Sequence, residues 1–225
     1  MVTSPEIVAM MLADARLPTG GHTQSAGLEP AVRAGLADEG RRLADVAAFA
    51  RGRLRTVVRV EAGTAVVARS LALSGRAPRD VEPAWAARTP SQELRAVSRR
   101  QGRAWLRMAA RVWPDTLAHL PADTELPRAV ALGVIGAVTG LSGEQVARLV
   151  AYDDAQTVVA ASLKLLPVDP LDAASWLAGL HPEIERVVAD VSSLTLPDEI
   201  PADGAPYVDA LAQQHATERM RLFHA

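Results

Sequence analysis

The chain contains no cysteine, and that absence removes several kinds of chemistry at once. Disulfides, thiolate metal sites and cysteine nucleophiles are all excluded. Aromatic residues are also scarce, with four tryptophans, two tyrosines and two phenylalanines among 225 residues. The interior must therefore be built mainly from alanine, leucine and valine. Alanine and leucine favour helices, and small side chains let helices approach closely.

Neither sign of charge dominates, and no apolar run is long. The formal net charge is −2, which gives no global electrostatic reason to bind nucleic acid or an anionic membrane surface. The longest apolar stretches, 129–138 and 158–166, are shorter than the ~20 residues that span a bilayer. The N-terminus lacks the basic segment of a signal peptide. These features predict a soluble, cytoplasmic protein.

Apolar residues recur with helical spacing along most of the chain, and no alternating run is convincing as a strand. Ser142 and Gln145 form a capping box that opens a helix at 143–166. The far half of that helix is apolar on nearly every side, which predicts a place at the centre of a bundle. Thr89 is the expected N-cap of another helix, which runs to Trp113.

These patterns predict one all-α domain over residues 1–225, a helical bundle of about eight to ten helices with a long apolar central helix. Two segments rich in proline and charge are expected to lie outside the helices. We predict an exposed loop at 76–89 and an acidic, proline-rich linker at 195–206 before the C-terminal helix.

A glycine turn near the N-terminus joins two predicted helices. The first helix is expected to end near Arg16, because Pro18 disfavours the α conformation in the residue before it. Gly20 and Gly21 then permit a sharp turn, and Ser25 or Thr23 is a suitable N-cap for the next helix. A phosphate site is the alternative, since helix N-termini carry free N–H groups. The spacing matches neither GxGxxG nor GxxxxGK[ST], and we therefore predict a structural turn.

A row of arginines, each four residues from the next, lies on the predicted helix at 89–113. Its members are Arg95, Arg99, Arg103, Arg107 and Arg111, with Arg100 beside them. Like charges at this spacing repel by a few tenths of a kcal/mol per pair. Three interpretations stay open: a face that is solvated or paired with acids elsewhere, a docking surface for an acidic partner, and a nucleic-acid site. The absence of interleaved aromatic residues disfavours the third.

Residues suited to catalysis or metal binding are scattered. No two of the five histidines stand four apart, and His215 with Glu218 reverses the Glu-x-x-His order of di-metal bundles. Asp153 and Asp154 diverge by ~100° on a helix, so they cannot share one proton-transfer geometry. We expect one of them to face solvent or an arginine, and a buried ion pair with the arginine helix is one interpretation. We find no nucleophile elbow. We therefore predict no catalytic residue, no cofactor and no bound metal, with a helical metalloenzyme as the alternative.

Three separated motifs resemble those of the urease accessory protein UreF family. The first is the glycine turn, with Leu17-Pro18, Gly20-Gly21, Ser25 and Gly27-Leu28-Glu29. The second is Glu93-Leu94-Arg95-x-x-Ser98-Arg99-Arg100-Gln101-Gly102-Arg103. The third is His215-x-x-Glu218-Arg219-x-Arg221-Leu222-Phe223. The chain departs from the family pattern in two places, where His22 and Gln24 replace a common aromatic pair and where Val168-Asp169-Pro170-Leu171-Asp172 replaces a glycine–glutamine pattern.

The resemblance implies a homodimeric, non-catalytic scaffold or chaperone for nickel insertion into apo-urease. Such a protein bridges a D-type or H-type urease accessory protein and the nickel-carrying G-type GTPase, so it meets nickel only through its partner. An all-α nucleic-acid regulator is a further alternative. The residues expected to contact partners are Gly20, Gly21, Leu28, Glu29, Arg95, Arg99, Arg100, Arg103, Arg107, Arg219, Arg221, Leu222 and Phe223. Phe223 has two open interpretations, an interface anchor or packing on its own bundle.

Overall fold

The computed structural model describes residues 4–217 and 222–223, and within these ranges it contains helices and turns but no strand. The prediction of a single-domain, all-α fold is confirmed. The described part of the chain holds eleven α-helices, nine of which have eight or more residues. They are α1 Pro5–Leu12, α2 Leu28–Arg33, α3 Asp45–Leu54, α4 Val57–Leu73, α5 Glu82–Ala87, α6 Gln92–Val112, α7 Arg128–Thr139, α8 Gly143–Leu165, α9 Pro170–Gly179, α10 His181–Val191 and α11 Pro206–Ala216.

The capping box of α8 is confirmed. The Ser142 hydroxyl accepts the N–H of Gln145 at 3.1 Å, and the Gln145 side chain accepts the N–H of Ser142 at 2.8 Å. Helix α6 begins later than predicted, because Ser91 is its N-cap and accepts the N–H of Leu94 at 3.3 Å. The capping therefore depends on the residue immediately before the helix rather than on Thr89.

The core is built around α4 and α7, which pack against each other along their lengths. Every residue of α7 from 128 to 136 is buried. Helix α8 is longer and packs on α4, α3 and α10, but it keeps one exposed side that includes Ala160 and Leu163. Thus α7, rather than the far half of α8, is the segment that is enclosed by protein on all sides.

Two helical glycines allow this close packing. A Cβ atom on Gly133 of α7 would lie 2.3 Å from the carbonyl oxygen of Ala65 in α4. A Cβ atom on Gly102 of α6 would lie 1.9 Å from the carbonyl oxygen of Leu126. Both distances are far below van der Waals contact, so only glycine permits the backbones to approach this closely.

The two segments expected to lie outside the helices both pack onto the bundle, and only the second lacks an α-helix of its own. Residues 78–87 form the 3₁₀-helix Pro78–Val81 and helix α5, and Val81 and Trp85 are fully buried. In the second segment Ile200 is buried and its carbonyl oxygen accepts a hydrogen bond from Arg88 at 2.9 Å. The prediction of an exposed loop at 76–89 is therefore wrong over residues 78–87, and only the ends of that segment lie outside helices.

Candidate functional site

The glycine turn folds back on itself through short-range hydrogen bonds. Helix α1 ends at Leu12 rather than near Arg16, and a turn closed by Asp14 and Arg16 follows it. Gly20 has a φ of +80°, the left-handed conformation that glycine adopts without strain. The Thr23 hydroxyl donates to the Gly20 carbonyl at 2.8 Å. The turn is therefore stabilised internally.

Helix α2 starts at Leu28, and the Ser25 side chain accepts a hydrogen bond from a backbone N–H of its first turn. The Ser25 hydroxyl accepts the N–H of Glu29 at 3.3 Å, and Ser25 is fully buried. This places the side chain of Glu29 inside the protein, where only 1% of the residue is exposed. Leu28 is buried beside it. The sequence predicted both residues as partner contacts, but they lie in the interior.

The carboxylate of Glu29 binds the C-terminal segment. Oε1 accepts the backbone N–H of Leu222 at 2.9 Å, and Oε2 accepts the backbone N–H of Phe223 at 2.8 Å. Arg33 donates to Oε1 at 2.8 Å. The first and third sequence motifs, at opposite ends of the chain, are thus joined by one side chain.

His215 completes this cluster from α11. Its Nε2 lies 3.5 Å from Oε2 of Glu29 and 3.4 Å from the carbonyl oxygen of Phe223. Burial alone would raise the pKa of Glu29, but the N–H groups of Leu222 and Phe223, with Arg33 and His215, lower it below its ordinary value. The ionised carboxylate is therefore the form that holds the segment in place.

Of the two described residues of the tail, Phe223 is buried and Leu222 is exposed. Phe223 is 5% exposed and joins the hydrophobic core, with Lys164 Nζ 5.2 Å from the centre of its ring. Leu222 is 63% exposed. Of the two interpretations of Phe223, the structure places it on its own bundle. The predicted contacts Arg219 and Arg221, and also Glu218, lie outside the described residues.

Three arginines of α6 are engaged within the fold. Arg95 donates to the carbonyl oxygens of Thr89 and Pro90 at 2.6 and 2.8 Å. Arg99 pairs with Glu82 at 2.7 Å and lies 5.6 Å from the centre of the Trp85 ring. Arg103 pairs with Glu125 at 3.2 Å. These residues match the interpretation of arginines paired with groups elsewhere.

The other three arginines of α6 reach solvent. Arg100, Arg107 and Arg111 are exposed, and with the residues that the structure describes they form no ion pair. The interpretations of a solvated face and of a docking surface both apply to this group.

A buried charge cluster lies beneath the glycine turn. Arg53 of α3 forms two hydrogen bonds with Asp154 of α8, at 2.9 and 2.6 Å, and their side chains are 7% and 10% exposed. Arg128 of α7 pairs with Asp153. Both aspartates thus face an arginine, as expected for one of them, but the arginines belong to α3 and α7 and not to the arginine helix α6. Both carboxylates hold helices together through guanidinium groups.

Glu61 of α4 is the third carboxylate of this cluster. Its Oε1 accepts the indole N–H of Trp85 at 2.6 Å. Burial raises the pKa of Glu61, and the positive charge of Arg128 opposes that effect. Sequence reasoning did not select Arg53, Glu61 or Arg128. Only Arg128 offered a signal, as a lone charge at the start of the apolar stretch 129–138.

Two neighbouring cavities, of about 100 and 110 Å³, separate this cluster from the glycine turn. Gly21, Gln24, Gln101, Arg128 and Asp153 are among the residues that line both of them. Phe223 lines the second cavity. The glycine turn, the middle of α6 and the tail thus surround one polar cleft, and residues of all three sequence motifs meet there.

Neither a metal centre nor a membrane span is found within residues 4–217 and 222–223. No group of three or more His, Asp or Glu side chains there has a geometry that could hold a metal ion. No helix within the same residues is long and apolar enough to cross a membrane.

The UreF family model matches residues 41–181, which is more than half of the chain. The chain is also 37% identical over 215 residues to a urease accessory protein UreF of Mycolicibacterium vanbaalenii, covering 95% of this chain and 96% of the relative. The chain belongs to the UreF family. Relatives of the same name from Mycobacterium sp. (strain JLS) and Mycobacterium tuberculosis (strain ATCC 25177 / H37Ra) are 38% identical over 221 residues and 35% identical over 217 residues. They cover 95% of this chain and 96% and 95% of their own lengths.

The two departures from the UreF family pattern have defined places in the fold. His22 lies in the 3₁₀-helix Gly21–Thr23, and Gln24 lines both cavities of the polar cleft. In the second departure Asp169 is the N-cap of α9, and its carboxylate accepts the N–H of Leu171 at 2.7 Å. The sequence at 168–172 therefore starts a helix.

Proposed function

We propose that the chain is a non-catalytic scaffold or chaperone of urease maturation. In this role it bridges a D-type or H-type urease accessory protein and the nickel-carrying G-type GTPase, and brings them to apo-urease as a homodimer in the cytoplasm. Membership of the UreF family over most of the chain carries the proposal. In this proposal nickel is the cargo of the partner GTPase.

The internal chemistry of the chain supports a function that is carried by surfaces. Asp153 and Asp154 each bind a guanidinium group, and Glu29 is occupied by backbone N–H groups and Arg33. A carboxylate with these partners stabilises the fold and is poorly suited to accept a substrate proton. Buried groups thus shape the molecule, while exposed groups are available for recognition.

Within this proposal the predicted contact residues have three kinds of role. Leu222, Arg100 and Arg107 are exposed and are proposed to touch partners directly. Leu28, Glu29 and Phe223 are buried and are proposed to act by positioning the turn and the tail. Arg95, Arg99 and Arg103 are proposed to fix α6 against its neighbours, so that its free arginines point outward from a rigid helix.

The test is co-expression of the tagged chain with D-type and G-type urease accessory proteins, with the mass of the eluted complex measured on size exclusion. We expect a stable complex with the D-type protein, near a 2:2 ratio, which captures the G-type GTPase. Elution of this chain alone, well folded and monomeric, would contradict the scaffold function.

The contribution of the tail is tested by Leu222→Asp, because Leu222 is exposed and its replacement leaves the buried Phe223 in place. We expect weaker capture of one partner with unchanged helical content by circular dichroism. Leu73→Asp is the matched control, since Leu73 is an exposed leucine at the end of α4. Equal capture by both variants would remove the tail from the proposed interface.

A further inference from the structure

An apolar groove lies between α1 with its following turn and the C-terminal half of α6. Its volume is about 420 Å³. The apolar side chains that line it are Met11, Leu17, Pro18, Ala104, Met108 and Val112. Arg107 and Arg111 complete its lining from α6. The groove is separate from the polar cleft and shares no lining residue with it.

The groove continues into exposed apolar side chains of α1. Met11 and Val112 are 37% and 43% exposed within it, and Ile7 and Met10 on α1 are more exposed still. Methionine side chains are flexible and polarisable, so they adapt to the surface of a partner. A group of apolar side chains on a folded surface is typical of an interaction site. An apolar partner surface would remove these side chains from water.

The charge of the groove is positive, and no acidic side chain of the described residues pairs with it. Arg107 and Arg111 stand four residues apart on one helix, where like charges repel. Neither forms an ion pair with a described residue, whereas Arg99 and Arg103 on the same helix do. Acidic side chains from a partner would therefore relieve the repulsion and pair with both guanidinium groups.

We infer that this groove docks an amphipathic helix of a protein partner, with its apolar face against Met108 and Val112 and its acidic residues against Arg107 and Arg111. The inference rests on the proposed function insofar as that partner belongs to the urease-maturation complex. An acidic amphipathic helix matches both features of the groove, since its apolar stripe fills a channel and its charged flanks lie at the rim. A basic helix would meet repulsion at the same rim.

The first experiment uses a labelled amphipathic peptide of about 18 residues, long enough for about five helical turns, with leucines on one face and glutamates on its flanks. Fluorescence anisotropy measures its binding to the full-length protein. A second peptide carries lysine in place of every glutamate. We expect the glutamate peptide to bind more tightly, and the paired variant Arg107→Glu/Arg111→Glu to lower its affinity roughly tenfold and to favour the lysine peptide.

The matched control is Arg79→Glu, which reverses an exposed arginine of the 3₁₀-helix Pro78–Val81 that forms no ion pair with a described residue and lies outside the groove. We expect this variant to change the affinity of the glutamate peptide by less than about twofold, after allowance for the change in net charge. Val112→Ser tests the apolar contribution without a change of charge and is expected to weaken both peptides. Thermal melting of each variant confirms that it is folded. Equal effects of the groove and control variants would overturn the inference.

The second experiment repeats the variants in the co-expressed complex and so separates the two proposals. If wild-type protein captures its partners and the Arg107→Glu/Arg111→Glu variant captures them equally well, the groove inference fails and the scaffold function stands. If wild-type protein captures neither partner, the scaffold function fails and the peptide experiment decides the groove. A groove variant that converts a dimer of this chain to a monomer would assign the groove to a second copy and overturn the inference.

Discussion

The carboxylate of Glu29 accepts the backbone N–H of Phe223, a residue 194 positions further along the chain, at 2.8 Å. The same carboxylate accepts the N–H of Leu222 at 2.9 Å. Because these hydrogen bonds join α2 to the last described segment, they determine where the exposed Leu222 is presented. The position of a proposed partner contact thus depends on a buried glutamate in the glycine-turn motif.

Glu29→Gln is expected to destabilise the fold by about 2–3 kcal/mol and to release the tail. A glutamine retains one acceptor oxygen but turns an amide N–H₂ group toward a backbone donor, and hydrogen bonds to charged groups contribute about 1.5–3 kcal/mol. Urea unfolding measures the loss of stability. Hydrogen exchange at the amides of Leu222 and Phe223 measures release of the tail.

The control for this variant is Glu39→Gln, at an exposed glutamate for which the structure shows no described ion pair. It is expected to leave both the stability and the exchange of the tail amides unchanged. If Glu29→Gln left the amides of Leu222 and Phe223 protected, the hydrogen bonds of Glu29 would not be what holds the tail.

The contribution of Glu29 to the free energy of unfolding depends on pH in a defined direction. Its pKa in the folded protein lies below the ordinary value of 4.5, so the unfolded chain binds the proton more readily. The stabilisation is therefore complete above about pH 4.5 and is lost as the pH falls through the lower, folded-state pKa. We expect the difference in unfolding free energy between wild type and Glu29→Gln to shrink below pH 4.5.

The pKa of Glu61 is shifted in the opposite direction, so its effect on stability must be separated from that of Glu29. Burial raises the pKa of Glu61, so its ionisation costs stability as the pH rises through the raised value. Both proteins in the comparison retain Glu61, and its contribution cancels in the difference. A wild-type-minus-variant difference that stayed constant down to pH 3 would contradict the assignment to Glu29.

The local features of the fold were predictable because their signals lie within a few residues. Ser142 and Gln145 satisfy each other across one helical turn, and the sequence alone identifies that arrangement. The helical spacing of apolar residues likewise predicted the fold class. The error at 76–89 came from counting Pro83 as a helix breaker, whereas a proline in the first turn of a helix such as α5 removes no hydrogen bond.

The sequence did not predict which residues of the candidate site bind each other, because the two members of each pair are distant in sequence. Asp154 meets Arg53, which is 101 residues away, and Glu29 meets Phe223 from the other end of the chain. Arginines occur on many helices, and the helical spacing of apolar residues does not indicate which arginine will lie opposite Asp154. That information arises only when α3 and α8 pack together.

The buried pair of Arg53 and Asp154 is expected to behave as a coupled unit. Asp154→Asn leaves a buried guanidinium without a countercharge and is expected to cost about 3–5 kcal/mol in unfolding free energy. The double variant Arg53→Met/Asp154→Leu removes both charges and is expected to recover most of that loss. Urea unfolding of Arg53→Met, Asp154→Leu and the double variant gives the coupling energy.

The comparison pair for this cycle is Arg148 and Glu185, whose side chains are largely exposed. Solvent screens this pair, and Glu185→Gln is expected to cost less than about 1 kcal/mol. Equal costs for Asp154→Asn and Glu185→Gln would mean that burial does not strengthen the dependence of Arg53 on its partner.

The close approach of α7 and α4 gives the last prediction. Gly133→Ala would place a Cβ atom 2.3 Å from the carbonyl oxygen of Ala65, so the two helices must move apart. We expect a loss of about 1–3 kcal/mol in unfolding free energy, typical of an overpacked core.

Gly52→Ala is the matched control, because Gly52 also lies within a helix but an added Cβ atom there meets nothing within 4 Å. Alanine should stabilise that helix by about 0.5–1 kcal/mol. The Tm of Gly133→Ala should therefore fall and that of Gly52→Ala should rise. A rise in the Tm of both variants would show that helix propensity outweighs the contact between α7 and α4.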